Sequence, residues 1–365
     1  MKNNPLESFG MKVFQSLGKP ISEFGDNSRY LSPEEFKRLK KIERIAIFKC
    51  ALAGALSTII AAIAAVYAEK WFVDVPTAEQ STLYYWLLFG GVTAIAALFE
   101  IAYLYIVCIK AAHQIAAVCD VYLIENPESD ANLGLSLVRA AMEIPHPSDA
   151  DAHVSPHRYA SKWKLIGIAI LYKAKILLTN ALAKVIVRKT IARGVARAWL
   201  EFIAVPITAL WNGIVTYWIV REARVRALGH LTVEAVLPSL NLNDVAEGAQ
   251  RAVAVSVSST AKIHPSHSLM LNWLRLSSGT TYTEQLDSAE RFEQYFKTLS
   301  EKQKQAVLEV FALAIVIDGK VSKQEAAQYE HFSSITKSRP PVQLKEMLHE
   351  FINGKEITQL KKVGM

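Results

Sequence analysis

Three long hydrophobic runs without formal charge dominate the pattern of this chain. Residues 50–68 form a run of nineteen, residues 80–99 a run of twenty, and residues 202–220 a run of nineteen. A helix rising 1.5 Å per residue needs about this length to cross a ~30 Å hydrocarbon core. Strand patterns are scarce along the chain. The sequence therefore predicts an all-α protein with membrane-embedded helices.

The runs divide the chain into six predicted segments. They are a mobile arm (1–32), a membrane hairpin (33–124, with spans at about 46–68 and 82–109), a cytoplasmic linker with one short helix (125–163), a basic apolar hairpin (164–226), a helical connector (227–284) and a C-terminal helical domain (285–365). The arm is assigned on its Gly, Pro and polar residues. The hairpin begins where Ser32 and Pro33 supply a helix start signal.

Clusters of basic residues set the predicted orientation. One cluster leads into the first run: Lys37, Arg38, Lys40, Lys41, Arg44 and Lys49. A second precedes the third run: Arg188, Lys189, Arg193 and Arg197. Basic residues concentrate on the cytoplasmic side of membrane spans and attract anionic headgroups. We therefore expect a cytoplasmic N-terminus and a bilayer with anionic lipid as a partner.

The stretch 164–226 has three possible arrangements. If both of its apolar parts cross the membrane, the basic turn between them lies outside, against the positive-inside rule. If only the second part crosses, the basic patch after it lies outside. A hairpin that enters or packs against the membrane from the cytoplasm keeps its cations near headgroups, and we favour it. The first and third arrangements leave the C-terminus in the cytoplasm.

Glu100 follows the second apolar run directly and is a candidate for a functional group inside the membrane. An ionisable group in a membrane helix is costly and by default indicates function. If the second span begins near Leu83, however, Glu100 lies close to the cytoplasmic interface and can reach water or cations near Lys110. We prefer this interfacial interpretation. The functional one remains open, together with small residues such as Gly54 and Gly91 that permit close helix packing and an oligomeric pore.

Composition excludes several classes of protein. The net charge of +7, from 41 basic and 34 acidic residues, is too diffuse to indicate a nucleic-acid partner. The three cysteines, Cys50, Cys108 and Cys119, predict buried apolar positions rather than disulfides or a zinc site. The first thirty residues lack the apolar core of a cleavable signal peptide.

No enzyme motif is present in the sequence. It lacks a phosphate-binding P-loop, a dinucleotide fingerprint, a zinc-protease helix and a nucleophile elbow. We therefore expect a protein that is not an enzyme and that has no cofactor.

Residues 313–325 carry an apolar helix, an Asp-Gly turn and a capped helix with a glutamate. Ser300 with Gln303 and Ser322 with Glu325 have the spacing of capping boxes. This pattern resembles the TerB-like helical domains associated with tellurite resistance, over residues 299–351. The resemblance implies a role in stress response or membrane-linked complexes, and a metal site in some members. Here it would use Asp318 and Glu325, although local turn and capping roles explain both residues equally well.

Taken together, the patterns predict a bacterial inner-membrane protein with both termini in the cytoplasm. It would anchor a helical domain that binds a protein partner, in a complex connected with stress or the envelope. The alternative is a small oligomeric channel, pore-former or transporter.

Overall fold

The computed structural model describes residues 5–18, 30–72, 78–120, 130–142, 197–240, 242, 244–260, 263–279, 286–336 and 342–361. Every regular element among these residues is helical, as the sequence predicts. The helices are α1 (Pro5–Ser16), α2 (Pro33–Phe72), α3 (Ala78–Val118), α4 (Asp130–Ala141), α5 (Arg197–Val236), α6 (Ala246–Thr260), α7 (Pro265–Ser278), α8 (Ala289–Thr298), α9 (Glu301–Val316), α10 (Lys323–Ser334), α11 (Leu344–Ile352) and α12 (Thr358–Lys361). A 3-10 turn, Leu237–Ser239, follows α5.

The three long helices, of 40, 41 and 40 residues, pack together as a bundle. The first begins where the sequence predicts. The Ser32 amide donates to the Glu35 carboxylate at 2.7 Å, and the Glu35 amide donates to Ser32 Oγ at 3.2 Å. This reciprocal cap satisfies amides that the first helical turn leaves unpaired.

Helix α5 runs antiparallel to α2 along most of its length. Thr208 meets Thr58, and further along the helix Arg224 meets Glu43. The N-terminal end of α5 therefore lies at the Phe72 end of α2. Helix α4 lies at the opposite end, where Arg226 of α5 donates to the carbonyl oxygen and the hydroxyl of Ser136. We call the end with α4 the inner end and the other the outer end.

The helices after α5 pack around α6 and α9 at the inner end. Four buried rings form the centre of this region, in mutual contact across α8, α9 and α10: Phe292, Phe296, Phe311 and Phe332. Both predicted capping boxes are confirmed, since Ser300 pairs with Gln303 and Ser322 pairs with Glu325. Local capping signals therefore place these helix starts correctly.

Two predicted segment boundaries are wrong. The boundary at 226/227 falls inside α5, which continues through Gly229 to Val236, two residues before Pro238. The predicted connector 227–284 contributes α6 and α7 to the same core as α9. That core is continuous and includes residues from Phe14 to Leu360. The half of the predicted basic hairpin at 164–196 lies outside the described residues.

The predicted mobile arm is also wrong for its first half. Residues Pro5–Ser16 form α1, which packs on α3 and α4. Phe14 is buried and makes an edge contact with the His113 ring at 5.0 Å. Gly10 lies so close to α4 that an added Cβ would fall 2.5 Å from Met142 Sδ and from Val138 Cγ1. A tertiary contact thus orders a segment whose composition alone indicates a loop.

We predict that Gly54→Ala destabilises the bundle and that Gly91→Ala does not. An added Cβ at Gly54 would lie 2.4 Å from Asn212 Nδ2 and 3.0 Å from the Thr208 carbonyl oxygen, whereas at Gly91 it meets nothing within 4 Å. Overpacking costs about 1–3 kcal/mol. At Gly91 the better helix propensity of alanine should instead add up to ~1 kcal/mol. Melting temperatures in mild detergent check this, and equal shifts for both variants would contradict it.

Candidate functional site

A polar cluster lies at the middle of the three-helix bundle. Glu100 of α3 is buried, with 3% of its surface exposed. Its Oε1 accepts from Asn212 Nδ2 of α5 at 2.7 Å, and its Oε2 accepts from Ser57 Oγ of α2. One carboxylate therefore joins all three apolar helices. Hydrogen bonds of this kind hold helices together where apolar packing alone does not select partners.

A second layer of polar contacts extends the cluster between α2 and α5. The Thr58 and Thr208 hydroxyls lie 2.8 Å apart, where one can donate to the other, and each also lies within hydrogen-bond distance of a carbonyl oxygen of its own helix. Asn212 Nδ2 makes a longer contact, 3.4 Å, with the Cys50 carbonyl oxygen. Gly54 makes this approach possible, because no side chain separates α2 from Asn212 there. The cluster therefore depends on one small residue at the crossing point.

The structure contradicts one part of the interfacial interpretation, the access of Glu100 to water. The residue is buried against α2 and α5, and its carboxylate meets Ser57 and Asn212 instead of bulk water. The contact with Ser57 makes Glu100 level with the middle of the first apolar run. The position of Glu100 relative to a membrane surface stays a prediction.

One feature of the sequence does indicate this cluster, although it plays no part in the prediction of a cytoplasm-side hairpin at 164–226. Thr208, Asn212 and Thr216 recur every four residues in the third apolar run and are all buried. Residues at this spacing share one face of a helix. A polar stripe within an apolar run thus marks the side of α5 that faces its neighbours.

The first predicted basic cluster lies on α2 at the inner end of the bundle. Lys37, Arg38, Lys41, Arg44 and Lys49 are exposed on α2, and Lys40 is half-buried. Arg197 begins α5 at the outer end, opposite the inner end where α2 starts. The other members of the second cluster, Arg188, Lys189 and Arg193, lie outside the described residues. Among the described residues, an exposed basic surface is therefore observed for the first cluster, at the inner end of the bundle.

Charged residues after the third run are paired at the inner end. Arg224 Nη1 lies 3.2 Å from each Glu43 carboxylate oxygen, and both side chains are buried. Glu222 contacts Arg226 at 2.9 Å and His264 of α7 at 3.2 Å. Burial alone would raise the pKa of Glu222, but the hydrogen bonds and charges of His264 and Arg226 outweigh it and hold the pKa well below its usual range. These pairs join α5 to α2 and to the C-terminal helices.

The Asp-Gly turn predicted from the C-terminal pattern also contacts α5. Arg221 Nη2 donates to the Gly319 carbonyl oxygen at 3.1 Å. Gly319 has a φ of +77° and packs against Val225, where an added Cβ would come within 2.8 Å of Cγ2. Glycine is required at this position by both the left-handed backbone and the close contact. The turn is therefore the point where the C-terminal helices rest on the bundle.

Asp318 and Glu325, the predicted metal ligands, have local roles in the structure. Asp318 Oδ1 accepts from the Lys320 amide at 2.9 Å, as a turn residue does. Glu325 is buried; its Oε2 accepts from the Ser322 amide at 2.9 Å, and its Oε1 accepts from Ser256 Oγ at 3.0 Å. Within the described ranges no three His, Cys, Asp or Glu side chains form a metal-binding group. Metal binding by this pair stays a prediction without support from the described residues.

The predicted environment of the cysteines is confirmed. Cys50, Cys108 and Cys119 are free thiols and are buried in the apolar packing of the bundle. They behave as small apolar residues.

We predict that Glu100 and Asn212 are energetically coupled. Glu100→Leu leaves the Asn212 amide with only its longer contact to the Cys50 carbonyl oxygen, and Asn212→Leu removes a donor from a buried carboxylate, so each single change should destabilise the protein. The double variant should be more stable than the sum of the singles implies, by about 1 kcal/mol. Melting temperatures in detergent measure this. Ser259→Ala, in the distant C-terminal core, serves as the control and should add independently to Glu100→Leu. Additive costs for Glu100 and Asn212 would refute the coupling.

We predict that Glu325→Gln removes the loss of stability that accompanies deprotonation of Glu325 as pH rises. Burial raises the pKa of Glu325 from 4.5 to about 7, against opposing hydrogen bonds from Ser322 and Ser256. The folded state thus holds this proton more tightly than the unfolded state, and stability falls as pH rises from about 4.5 to about 7, by ~3 kcal/mol at most. Glutamine keeps the capping geometry, as Gln303 does in α9. The variant should therefore melt higher than the wild type above pH 7.

The titration of His267 makes stability change with pH in the opposite direction to that of Glu325. This difference helps to distinguish the variant from the wild type. Burial lowers its pKa from 6.5 to about 4, so stability falls as pH drops from about 6.5 to about 4. In the wild type the two slopes partly cancel between pH 4.5 and 6.5. Glu325→Gln should leave the His267 slope alone and visible as a rise of melting temperature with pH. Identical pH profiles for variant and wild type would refute the raised pKa of Glu325.

Comparison with known proteins assigns this chain to no group. No protein-family model matches it, and no curated protein or solved structure is significantly similar to it. The resemblance of residues 299–351 to TerB-like domains is therefore neither supported nor contradicted.

Proposed function

We propose that this chain is an integral membrane protein of the bacterial inner membrane. Its three long helices would anchor a helical domain at the cytoplasmic surface, where that domain binds a protein partner as part of a scaffold. The proposal has two parts, a bundle solvated by lipid and a domain fixed to the inner end of that bundle. Each part has its own support among the described residues.

The distribution of exposed apolar side chains carries the first part. Among the described residues, 21 large hydrophobic side chains are exposed, and 19 of them lie on α2, α3 and α5. We call these 19 the apolar belt; it comprises Ile45, Phe48, Leu52, Leu56, Ile60, Ile63, Val66, Tyr67, Trp71, Tyr84, Leu87, Ile95, Leu98, Phe99, Tyr103, Ile207, Leu210, Tyr217 and Trp218. Soluble proteins rarely expose an apolar patch of this extent. Lipid is the solvent that suits it.

The burial of the two most apolar helices agrees with this assignment. Within the described residues, the stretches Pro33–Ala68 and Leu87–Val118 are long and apolar enough to cross a membrane. Only 17% of the most apolar window of the second stretch is buried, and 44% of that of the first. The apolar core helix of a soluble protein would be mostly buried. A largely uncovered helix of this composition is typical of one that faces lipid.

The basic residues of α2 orient the bundle in this proposal. The exposed cations between Lys37 and Lys49 lie at the inner end, which the positive-inside rule assigns to the cytoplasm. Helix α5 runs from the outer end to the inner end of the same bundle. In this arrangement α2, α3 and α5 each cross the membrane, so residues 202–220 form a span and not part of the cytoplasm-side hairpin that the sequence alone favours.

Contacts at the inner end support the scaffold. The Arg221–Gly319 hydrogen bond and the Glu222–His264 pair attach the C-terminal helices to α5 near the end of its apolar run. Helix α5 continues into the core that these helices share. A partner bound to the C-terminal helices would thus be held at a fixed position relative to the membrane.

Transport is the alternative function, and Glu100 is the observation that favours it. A buried carboxylate at the middle of a lipid-facing bundle is the kind of group that ion and proton pathways use. Its hydrogen bonds to Ser57 and Asn212 also suit a purely structural role in joining the helices. A flux across reconstituted vesicles that Glu100→Gln abolishes would favour transport over the scaffold.

We predict that the chain stays in the membrane fraction after extraction at alkaline pH and is released only by detergent. Alkali removes proteins held by charge, whereas the apolar belt would remain solvated by lipid. Immunoblots of pellet and supernatant measure the distribution. Lys37→Gln with Lys41→Gln is the matched control, because these changes weaken attraction to headgroups without touching the belt. The control variant should remain in the pellet as the wild type does.

Two results would contradict the membrane assignment. One is recovery of the intact chain as a single species in buffer without detergent. The other is release of the wild type into the supernatant by alkali alone. Either result would mean that protein, not lipid, covers the apolar belt.

A further inference from the structure

An elongated groove lies between α2 and α3 on the outside of the bundle. Its volume is about 550 Å³. It runs from Lys49 and Tyr103 near the inner end, past Ser57 and Glu100, to Ile60 toward the outer end. The remaining lining side chains are apolar. A concave, mostly apolar surface with a few polar groups is typical of a binding site.

The dimensions of the groove match one chain of a lipid. Lys49 and Ile60 are eleven residues apart on one helix, which is roughly 16 Å at 1.5 Å per residue. Half of a ~30 Å hydrocarbon core is about 15 Å. An acyl chain that begins at the level of Lys49 would therefore end near the middle of the membrane, alongside Ile60.

The inner end of the groove has the chemistry of a headgroup site. Lys49 is exposed and brings a cation to the end of the apolar lining, and the Tyr103 side chain lines the same end of the groove. A lysine ammonium pairs with a phosphate as a point charge, and a phenol can donate a hydrogen bond to it. Charge complementarity thus selects an amphiphile with a negative headgroup.

We propose that this groove binds one anionic phospholipid of the inner leaflet, with its phosphate at Lys49 and an acyl chain along the groove. The proposal rests on the membrane assignment made above. It adds a defined site and a headgroup preference to a bundle otherwise solvated by bulk lipid.

Glu100 does not oppose an apolar occupant. Each of its carboxylate oxygens accepts a hydrogen bond from within the bundle, one from Asn212 and one from Ser57. The groove beside it can therefore hold a hydrocarbon chain without removing those bonds. A second copy of the protein fits less well, because an apolar helix laid in the groove would bring no counter-charge to Lys49.

Lipid retention by the full chain tests the proposal. The protein is reconstituted in nanodiscs containing equal amounts of phosphatidylglycerol and phosphatidylcholine, then transferred to detergent, and retained lipids are counted by native mass spectrometry. The wild type should keep one lipid per monomer and favour phosphatidylglycerol about fivefold, which is the preference that one lysine near an anionic surface supplies. Lys49→Gln should keep the lipid and lose the preference. Arg44→Gln, which removes an exposed cation outside the groove, should keep both.

A second pair of variants tests the groove itself. Ala96→Phe places a ring on the α3 wall of the groove and should abolish retention. Gly91→Phe adds the same ring to α3 where nothing lies within 4 Å of a new Cβ, and it should retain lipid as the wild type does. Equal melting temperatures of the two variants in detergent would show that both fold.

Three outcomes would overturn the site. They are a wild type that retains no lipid, an unchanged phosphatidylglycerol preference in Lys49→Gln, and a dimer that Ala96→Phe converts to a monomer. If the protein inserts into nanodiscs but shows any of these results, only the lipid site fails. If it does not insert at all, the membrane assignment fails with it.

Discussion

The structure depends on how the apolar belt of α2, α3 and α5 is solvated. Burial of apolar surface is the main force in folding, so a long helix that leaves its apolar face uncovered needs another source of stability. Among the described residues almost every large exposed apolar side chain belongs to this belt. In a bilayer, exposure of the belt carries no free-energy penalty, because the hydrocarbon that surrounds it is as apolar as its side chains.

The lipid-facing exterior that we propose would change what stabilises the interior. In lipid, apolar packing does not distinguish a neighbouring helix from hydrocarbon, so specific contacts must select it. Glu100, Asn212 and Ser57 supply such contacts, and Gly54 allows the helices to approach closely enough to make them. At the inner end, the C-terminal helices enclose a buried apolar core around Phe311. Helix α5 contributes both to the three-helix bundle and to this core.

Features set by neighbouring residues could be predicted from the sequence. The helix start at Ser32 and the capping boxes at Ser300 and Ser322 follow from hydrogen bonds within four residues, and the structure shows all three. The all-helical fold likewise follows from the spacing of apolar residues. Features set by distant residues could not be predicted in this way. The burial of Glu100 depends on α2 and α5, whose residues Ser57 and Asn212 lie 43 and 112 residues away from it along the chain.

The order of α1 and the extent of α5 show the same limit. Residues Pro5–Ser16 are helical because Phe14 and Gly10 fit against α3 and α4, a contact that composition does not reveal. Helix α5 continues from apolar into charged sequence, so a change of composition does not mark a segment boundary there. The polar residues Thr208, Asn212 and Thr216 can be recognised in the sequence as one face of a helix. The hydrogen bonds that Thr208 and Asn212 make to other helices, however, can be identified only from the structure.

Collision accessibility of spin labels measures the solvent of the apolar belt directly. On a background without the three buried cysteines, labels replace Leu98 and Leu210 in the belt and Lys41 and Lys302 outside it, in vesicles of defined lipid. Oxygen, which concentrates in hydrocarbon, should relax the belt labels, and a water-soluble nickel chelate should relax the other two. Strong relaxation of the belt labels by nickel, or their shielding from both reagents, would show that water or protein surrounds the belt instead of lipid.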